Sequence, residues 1–155
     1  MILSAEGAAF IARFEGFRQQ CYVCPAGKLT IGYGHVIQPG ETFASLTATE
    51  ALDMLMHDAT REAAPVSRAL KTQITSYQAD ALISLAFNCG GRAIARSTLL
   101  KRLNEGQFDQ AALEVLRWNK GKGKGKNKGK LVVIPGLTIR RIAEKTLFLT
   151  GDYGA

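Results

Sequence analysis

Apolar side chains recur at helical spacing through most of this chain, and polar caps mark where the helices begin. Ser4 is placed to cap a first helix, along which Phe10, Ile11, Phe14 and Phe17 form a core-facing stripe with Glu15 beside it in the last turn. Thr47 with Glu50 reads as a capping box opening a second helix, with Leu52, Leu55, Met56, Ala59 and Ala63 on its apolar side. Pro65 is expected to kink or end that helix, because proline removes a backbone donor. Thr75 with Gln78 repeats the capping signature ahead of Tyr77, Ala81, Leu82, Leu85 and Ala86, a strongly apolar helix expected at the centre and ending near Asn88 to Gly91. Ser97 caps a short helix through Leu99, Leu100 and Leu103, and another runs from Phe108 to Trp118. A last helix opens at Thr138, with Ile139, Ile142, Ala143 and Leu147 inward and Arg140, Arg141 and Lys145 partly outward.

Two segments break the helical rhythm. From Lys28 to His35 the β-branched Thr30 and Ile31 precede Gly32, Tyr33 and Gly34, the pattern of a strand turning tightly, and residues 36–45 with Pro39 and Gly40 read as a loop. Between Lys120 and Lys130, Lys alternates with Gly around Asn127. Glycine entropy and like-charge repulsion argue for a flexible loop there, although Leu131 to Ile134 would suit a short strand and so permit a basic hairpin. The expected fold is α+β and predominantly helical, a single domain over residues 1–155, with a small N-terminal β-hairpin lobe, a larger helical lobe and a cleft between them.

Composition narrows the function classes. The hydrophobic fraction of 46% and charged fraction of 21% suit a folded globular chain. The net charge of +7 has a local origin, because six lysines of the 120–130 run account for all but one unit of it. No apolar stretch reaches the roughly 20 residues of a bilayer span, and no signal peptide is recognisable at the N-terminus, so synthesis in the cytoplasm without self-export is expected. Three cysteines, Cys21, Cys24 and Cys89, leave at least one unpaired, which argues against a secreted disulfide scaffold.

The stretch Glu15 to His35 concentrates the chemistry. A carboxylate at the buried edge of a helix's last turn meets both desolvation and the negative end of the helix dipole, and both disfavour ionisation. Glu15, position 24 and Thr30, followed by Ile-Gly-Tyr-Gly-His, resemble the signature of phage-type lysozymes, the endolysin muramidases of glycoside hydrolase family 24. Later blocks resemble the family in its order: Ala86-Phe87-Asn88-Cys89-Gly90, Ser97-Thr98-Leu99-Leu100, Arg117-Trp118-Asn119, and Pro135-Gly136-Leu137 with Arg140-Arg141. The resemblance implies a lysozyme-like fold and hydrolysis of the β-1,4 bond between N-acetylmuramic acid and N-acetylglucosamine in peptidoglycan, with no cofactor and no metal. It makes Glu15 the general acid and Thr30 a holder of water, with Gly34, Phe87 and Asn88 as sugar-contacting positions and Arg140 or Arg141 near Glu15.

One position departs from the family pattern: Cys24 stands where an aspartate is usual. A thiol of ordinary pKa about 8.5 is mostly neutral at pH 7, so Cys24 acts as base or nucleophile only if its environment lowers that value. Cys21 and Cys24 also form a C-x-x-C pair, for which redox and zinc readings lack the necessary context, while a regulatory disulfide between them is a sharper possibility. His35 is expected to brace the hairpin rather than to catalyse.

The expected partners follow from the same resemblance. They are the peptidoglycan substrate and a holin-type protein that releases a monomeric enzyme to the periplasm. Lys120, Lys122, Lys124, Lys126, Lys128 and Lys130 are available to contact anionic lipopolysaccharide. A virion-associated or secreted antibacterial lysozyme is an alternative setting. A basic nucleic-acid-binding module is a more remote one, since no aromatic residue interleaves the lysines and no groove-reading motif precedes them.

Overall fold

The computed structural model describes residues 1–154. Helix α1 (Ala5–Ala12) starts where Ser4 accepts a hydrogen bond from the Gly7 amide, and it buries Phe10 and Ile11. It ends one turn earlier than the apolar stripe suggests. Phe14 still packs edge-on against Phe10 at 5.4 Å, but Phe17 lies beyond the helix, exposed and tilted against Tyr33. Glu15 therefore occupies the turn after α1, not its last turn.

The chain then forms β1 (Arg18–Val23), β2 (Leu29–Gly32) and β3 (His35–Val36), an antiparallel sheet in the order β1-β2-β3. Tyr22 lies opposite Thr30 and Val23 opposite Leu29, with an irregularity between Arg18 and Tyr22. The β1 strand is absent from the sequence reading because its residues, Arg-Gln-Gln-Cys-Tyr-Val, are nearly all exposed and carry no apolar alternation. In β2 the pattern is legible: Thr30 and Ile31 are buried, and Ile31 packs with Leu46 and Ala51 in a small satellite core.

Both capping boxes form. Thr47 and Glu50 open α2 (Ala48–Glu62), and Thr75 and Gln78 open α4 (Ser76–Cys89). Between them Pro65 ends one helix and sits in the first turn of the next, α3 (Ala64–Ala69), where its missing N–H costs nothing. Every residue from Ala79 to Ala86 is buried, and α4 packs against α1, α2, the helix that follows it and the final helix of the chain, which places it at the centre. Helix α5 (Gly91–Ala95) follows where only a terminating turn is expected; a Cβ on Gly91 would stand 1.9 Å from the Glu62 carbonyl oxygen, so this glycine permits the close approach. Ser97 caps α6 (Thr98–Asn104), and α7 (Phe108–Val115) stops short of Trp118.

The Lys/Gly run is ordered as a hairpin. β4 (Lys120–Lys122) pairs with β5 (Leu131–Val133), and a 3-10 turn at Gly125–Asn127 lies between them. The final helix, α8 (Pro135–Thr150), opens at Pro135, buries Leu147 and packs Ala143 on the core as expected, but its isoleucines and arginines exchange places. Ile139 and Ile142 are 65% and 51% exposed, whereas Arg140, Arg141 and Glu144 are buried with Leu147 and Phe148. Charge pairing accounts for this: Glu144 pairs with both arginines at spacings of three and four residues, and Glu15 supplies Arg140 with a second carboxylate, so the two cations are matched by two anions as they enter the core.

Candidate active site

Turn chemistry positions Cys24. It follows β1 and begins the turn to β2, where its amide donates to the Lys28 carbonyl at 2.9 Å and its carbonyl accepts from the Gly27 amide at 2.8 Å. The strand pairing, with Tyr22 opposite Thr30 and Val23 opposite Leu29, sets Thr30 of β2 diagonally across from Cys24. A hydrogen bond from the Lys28 backbone, and after it the Thr30 hydroxyl, hold the Cys24 pKa below its ordinary value. The Thr30 hydroxyl also donates to the Lys28 carbonyl at 3.0 Å, and its single proton serves only one acceptor at a time.

Cys21 and Cys24 are both free thiols. Cys21 lies within extended β1, so the three residue steps from Cys21 to Cys24 span about 10 Å, against the roughly 7 Å limit for a disulfide. A bond between them requires the strand to deform, which removes the geometric motive for a regulatory disulfide.

Glu15 is held from the opposite direction. Its Oε1 accepts from Arg140 Nη1 at 2.6 Å, and its side chain is 25% exposed. Of the two arginines, the one beside Glu15 is therefore Arg140. Behind it lies a buried network that the sequence reading did not find. Glu144 Oε1 accepts from Ser84 Oγ at 2.6 Å, Arg140 Nε at 3.1 Å and Arg141 Nη2 at 3.1 Å. Glu144 Oε2 lies 2.8 Å from Arg141 Nε. Burial pushes the Glu144 carboxyl up, opposed by the Arg141 and Arg140 cations. The i, i+3 and i+4 spacing of these residues was the signal available in the sequence.

Arg141 extends the network toward the end of α4, donating to Asn88 Oδ1 at 2.9 Å and to Cys89 Sγ at 2.8 Å. Asn88, with its side-chain oxygen so fixed, lines a cavity of about 490 Å³ together with Trp118, Lys120, Leu131 and Leu137. Phe87 is half-buried against the main core, and Gly34 is exposed in the β2–β3 turn at φ 92°, a conformation that favours glycine. The fold thus joins Cys24 to Thr30, and Glu15 through Arg140, Glu144 and Arg141 to Asn88.

His35 is a structural brace. Its Nδ1 lies 2.6 Å from Asp58 of α2 and its Nε2 2.9 Å from Glu41 of the following loop. Burial opposes its charge, but the hydrogen bonds to Glu41 and Asp58 prevail and raise its pKa. Among the described residues no cluster of His, Cys, Asp and Glu has the makings of a metal site, and no helix is long and apolar enough to cross a membrane.

Known proteins are similar to this chain in sequence and in fold. The chain is 39% identical over 150 residues to the endolysin of Acyrthosiphon pisum secondary endosymbiont phage 1, covering 96% of this chain and 98% of that protein. It is 40% identical over 154 residues to the endolysin of Bacillus phage B103, but spans only 56% of that protein's length while 98% of this chain is matched. Among solved structures, an endolysin from Escherichia coli O157:H7 phage FAHEc1 superposes with a TM-score of 0.87, with 35% identity and coverage of 100% of this chain and 98% of that one. Residues 12–144 match the model of the Phage lysozyme family. With a lysozyme-like fold, homologous endolysins along its whole length and a family match across most of its residues, the chain belongs to the phage lysozyme family and is a lysozyme-type hydrolase.

Proposed function

We propose that this lysozyme cleaves the β-1,4 bond between N-acetylmuramic acid and N-acetylglucosamine, with Glu15 as general acid and Cys24 in the role usually given to an aspartate. The observation that carries the reading is the Glu15 carboxyl fixed by Arg140 Nη1 at 2.6 Å and 25% exposed; the Lys28 backbone and the Thr30 hydroxyl, which hold the Cys24 pKa down, add to it. In this reading a proton passes from the Glu15 carboxyl to the glycosidic oxygen, and the Arg140 hydrogen bond to Oε1 fixes the orientation of the carboxyl. The C–O bond breaks as positive charge develops at the anomeric carbon.

Two completions follow at Cys24. As a thiolate base it would take a proton from water that the Thr30 hydroxyl holds, and that water would attack the face opposite the leaving group, inverting the anomeric centre. As a nucleophile its sulfur would bond the anomeric carbon, and a second displacement by water would restore the original configuration. Gly34, Phe87 and Asn88 would meet the sugar chain, with Asn88 oriented by Arg141.

The setting proposed is synthesis in a host cytoplasm as a monomer, release by a holin-type partner, and action on the wall from the periplasm. The lysines of the β4–β5 hairpin would add long-range attraction to anionic envelope components such as lipopolysaccharide. Product analysis tests the bond assignment. Digestion of purified peptidoglycan followed by borohydride reduction and mass spectrometry should give fragments ending in reduced N-acetylmuramic acid; ends in reduced N-acetylglucosamine, or free peptides alone, would contradict it.

A further inference from the structure

Close packing explains part of the alternation of lysine and glycine in the β4–β5 hairpin. A Cβ on Gly121 would stand 3.1 Å from Ile134 Cγ1, and one on Gly123 would stand 2.5 Å from the Asn127 carbonyl oxygen. Gly123 meets backbone too closely to carry a side chain and Gly121 packs tightly on Ile134, whereas the lysines between and around them are exposed. Cross-strand register completes the surface. Lys120 lies opposite Val133 and Lys122 opposite Leu131, so directly paired residues place two cations and two aliphatic side chains on one face. Leu131 is 70% exposed and Val133 56% exposed.

We propose that this face is an interfacial docking surface for a lipid leaflet bearing phosphate head groups. Charge complementarity identifies the occupant. From Val115 to Ala143 the chain contains no aspartate or glutamate, so nothing in that stretch offsets the six lysines. Phosphates at a leaflet surface match the lysines, and Leu131 and Val133 standing among them match the apolar layer just beneath. A purely polyanionic partner would leave those two side chains in water, and no exposed aromatic residue lies on the hairpin to stack on bases. Lys120 and Leu131 also border the cavity lined by Asn88 and Trp118, so docking would hold that side of the candidate site near the leaflet.

This goes beyond the proposed hydrolysis, because docking involves no bond cleavage and is measured without it. Co-sedimentation of the full chain with vesicles of phosphatidylglycerol in phosphatidylcholine, and with vesicles of phosphatidylcholine alone, is the test. The wild type should bind the anionic vesicles and not the neutral ones, and more weakly as salt rises. The double variant Leu131→Ser/Val133→Ser, which keeps every charge, should bind the anionic vesicles at least about tenfold more weakly. Lys122→Gln/Lys124→Gln should weaken binding while leaving the far-ultraviolet circular dichroism unchanged. Absence of wild-type binding to anionic vesicles would overturn the proposal. So would full binding by the serine double variant, which would reduce the surface to a general polyanion contact.

Discussion

In the proposed mechanism the chemistry turns on Cys24 and Thr30, and their coupling can be measured without substrate. The thiolate is the species that alkylates, so a lowered Cys24 pKa means a faster reaction with iodoacetamide at neutral pH. Thr30→Val removes one of the groups that lower it, and should slow alkylation of Cys24 several-fold at pH 7 by peptide mass mapping. Equal rates in the two proteins would remove Thr30 from the account. Activity gives the complementary measurement. Cys24→Asp should retain lytic activity and Cys24→Ser should lose most of it, about 10²-fold or more, since serine supplies neither base nor thiolate near neutral pH. Full activity in the serine variant would leave Cys24 with no chemical role. The departure at position 24 was visible in the residues themselves, but the depressed pKa was not, because it arises from the Lys28 backbone and the register that brings Thr30 alongside.

Elements form where local signals suffice and diverge from expectation where distant partners decide. The capping boxes at Thr47 and Thr75, and the Ser4 and Ser97 caps, were legible because each is closed within three residues. The outward face of α8 was not, because three charged residues enter the core only as a group joined to Ser84 and Glu15 from other elements. Glu144→Ala should accordingly destabilise by roughly 3–5 kcal/mol in urea unfolding, as it strands two buried guanidiniums. Ile139→Thr should change stability by less than about 0.5 kcal/mol, being a surface substitution; a cost above 2 kcal/mol would contradict the assigned face.

His35 ties the sheet to α2 with a definite pH signature. Its folded pKa is raised above the unfolded value of about 6.5, so the stability gained from its charged form is full below that value and is lost as pH rises through the folded pKa. The stability difference between wild type and His35→Gln should thus be larger at pH 5.5 than at pH 8.5. A constant difference would mean that the Asp58 and Glu41 contacts do not depend on the charge of His35.

Across the whole molecule, the β1–β2 hairpin carries Cys24 and Thr30, the turn after α1 carries Glu15, and Arg140 and Arg141 of α8 join Glu15 to Asn88 at the end of α4. The family was legible because the motif residues keep their spacing from Glu15 to Arg141. The network linking them was not, since it depends on which face of α8 turns inward. Loss of activity should therefore separate by position along this chain of contacts. The most direct measurement is clearing of permeabilised Gram-negative cells by the wild type and by Glu15→Gln, at equal concentrations of folded protein. The wild type should clear the suspension and the variant should be slower by about 10³-fold or more, since the amide has no proton to give. Clearing by Glu15→Gln at a rate near that of the wild type would contradict the assignment of Glu15 as the acid.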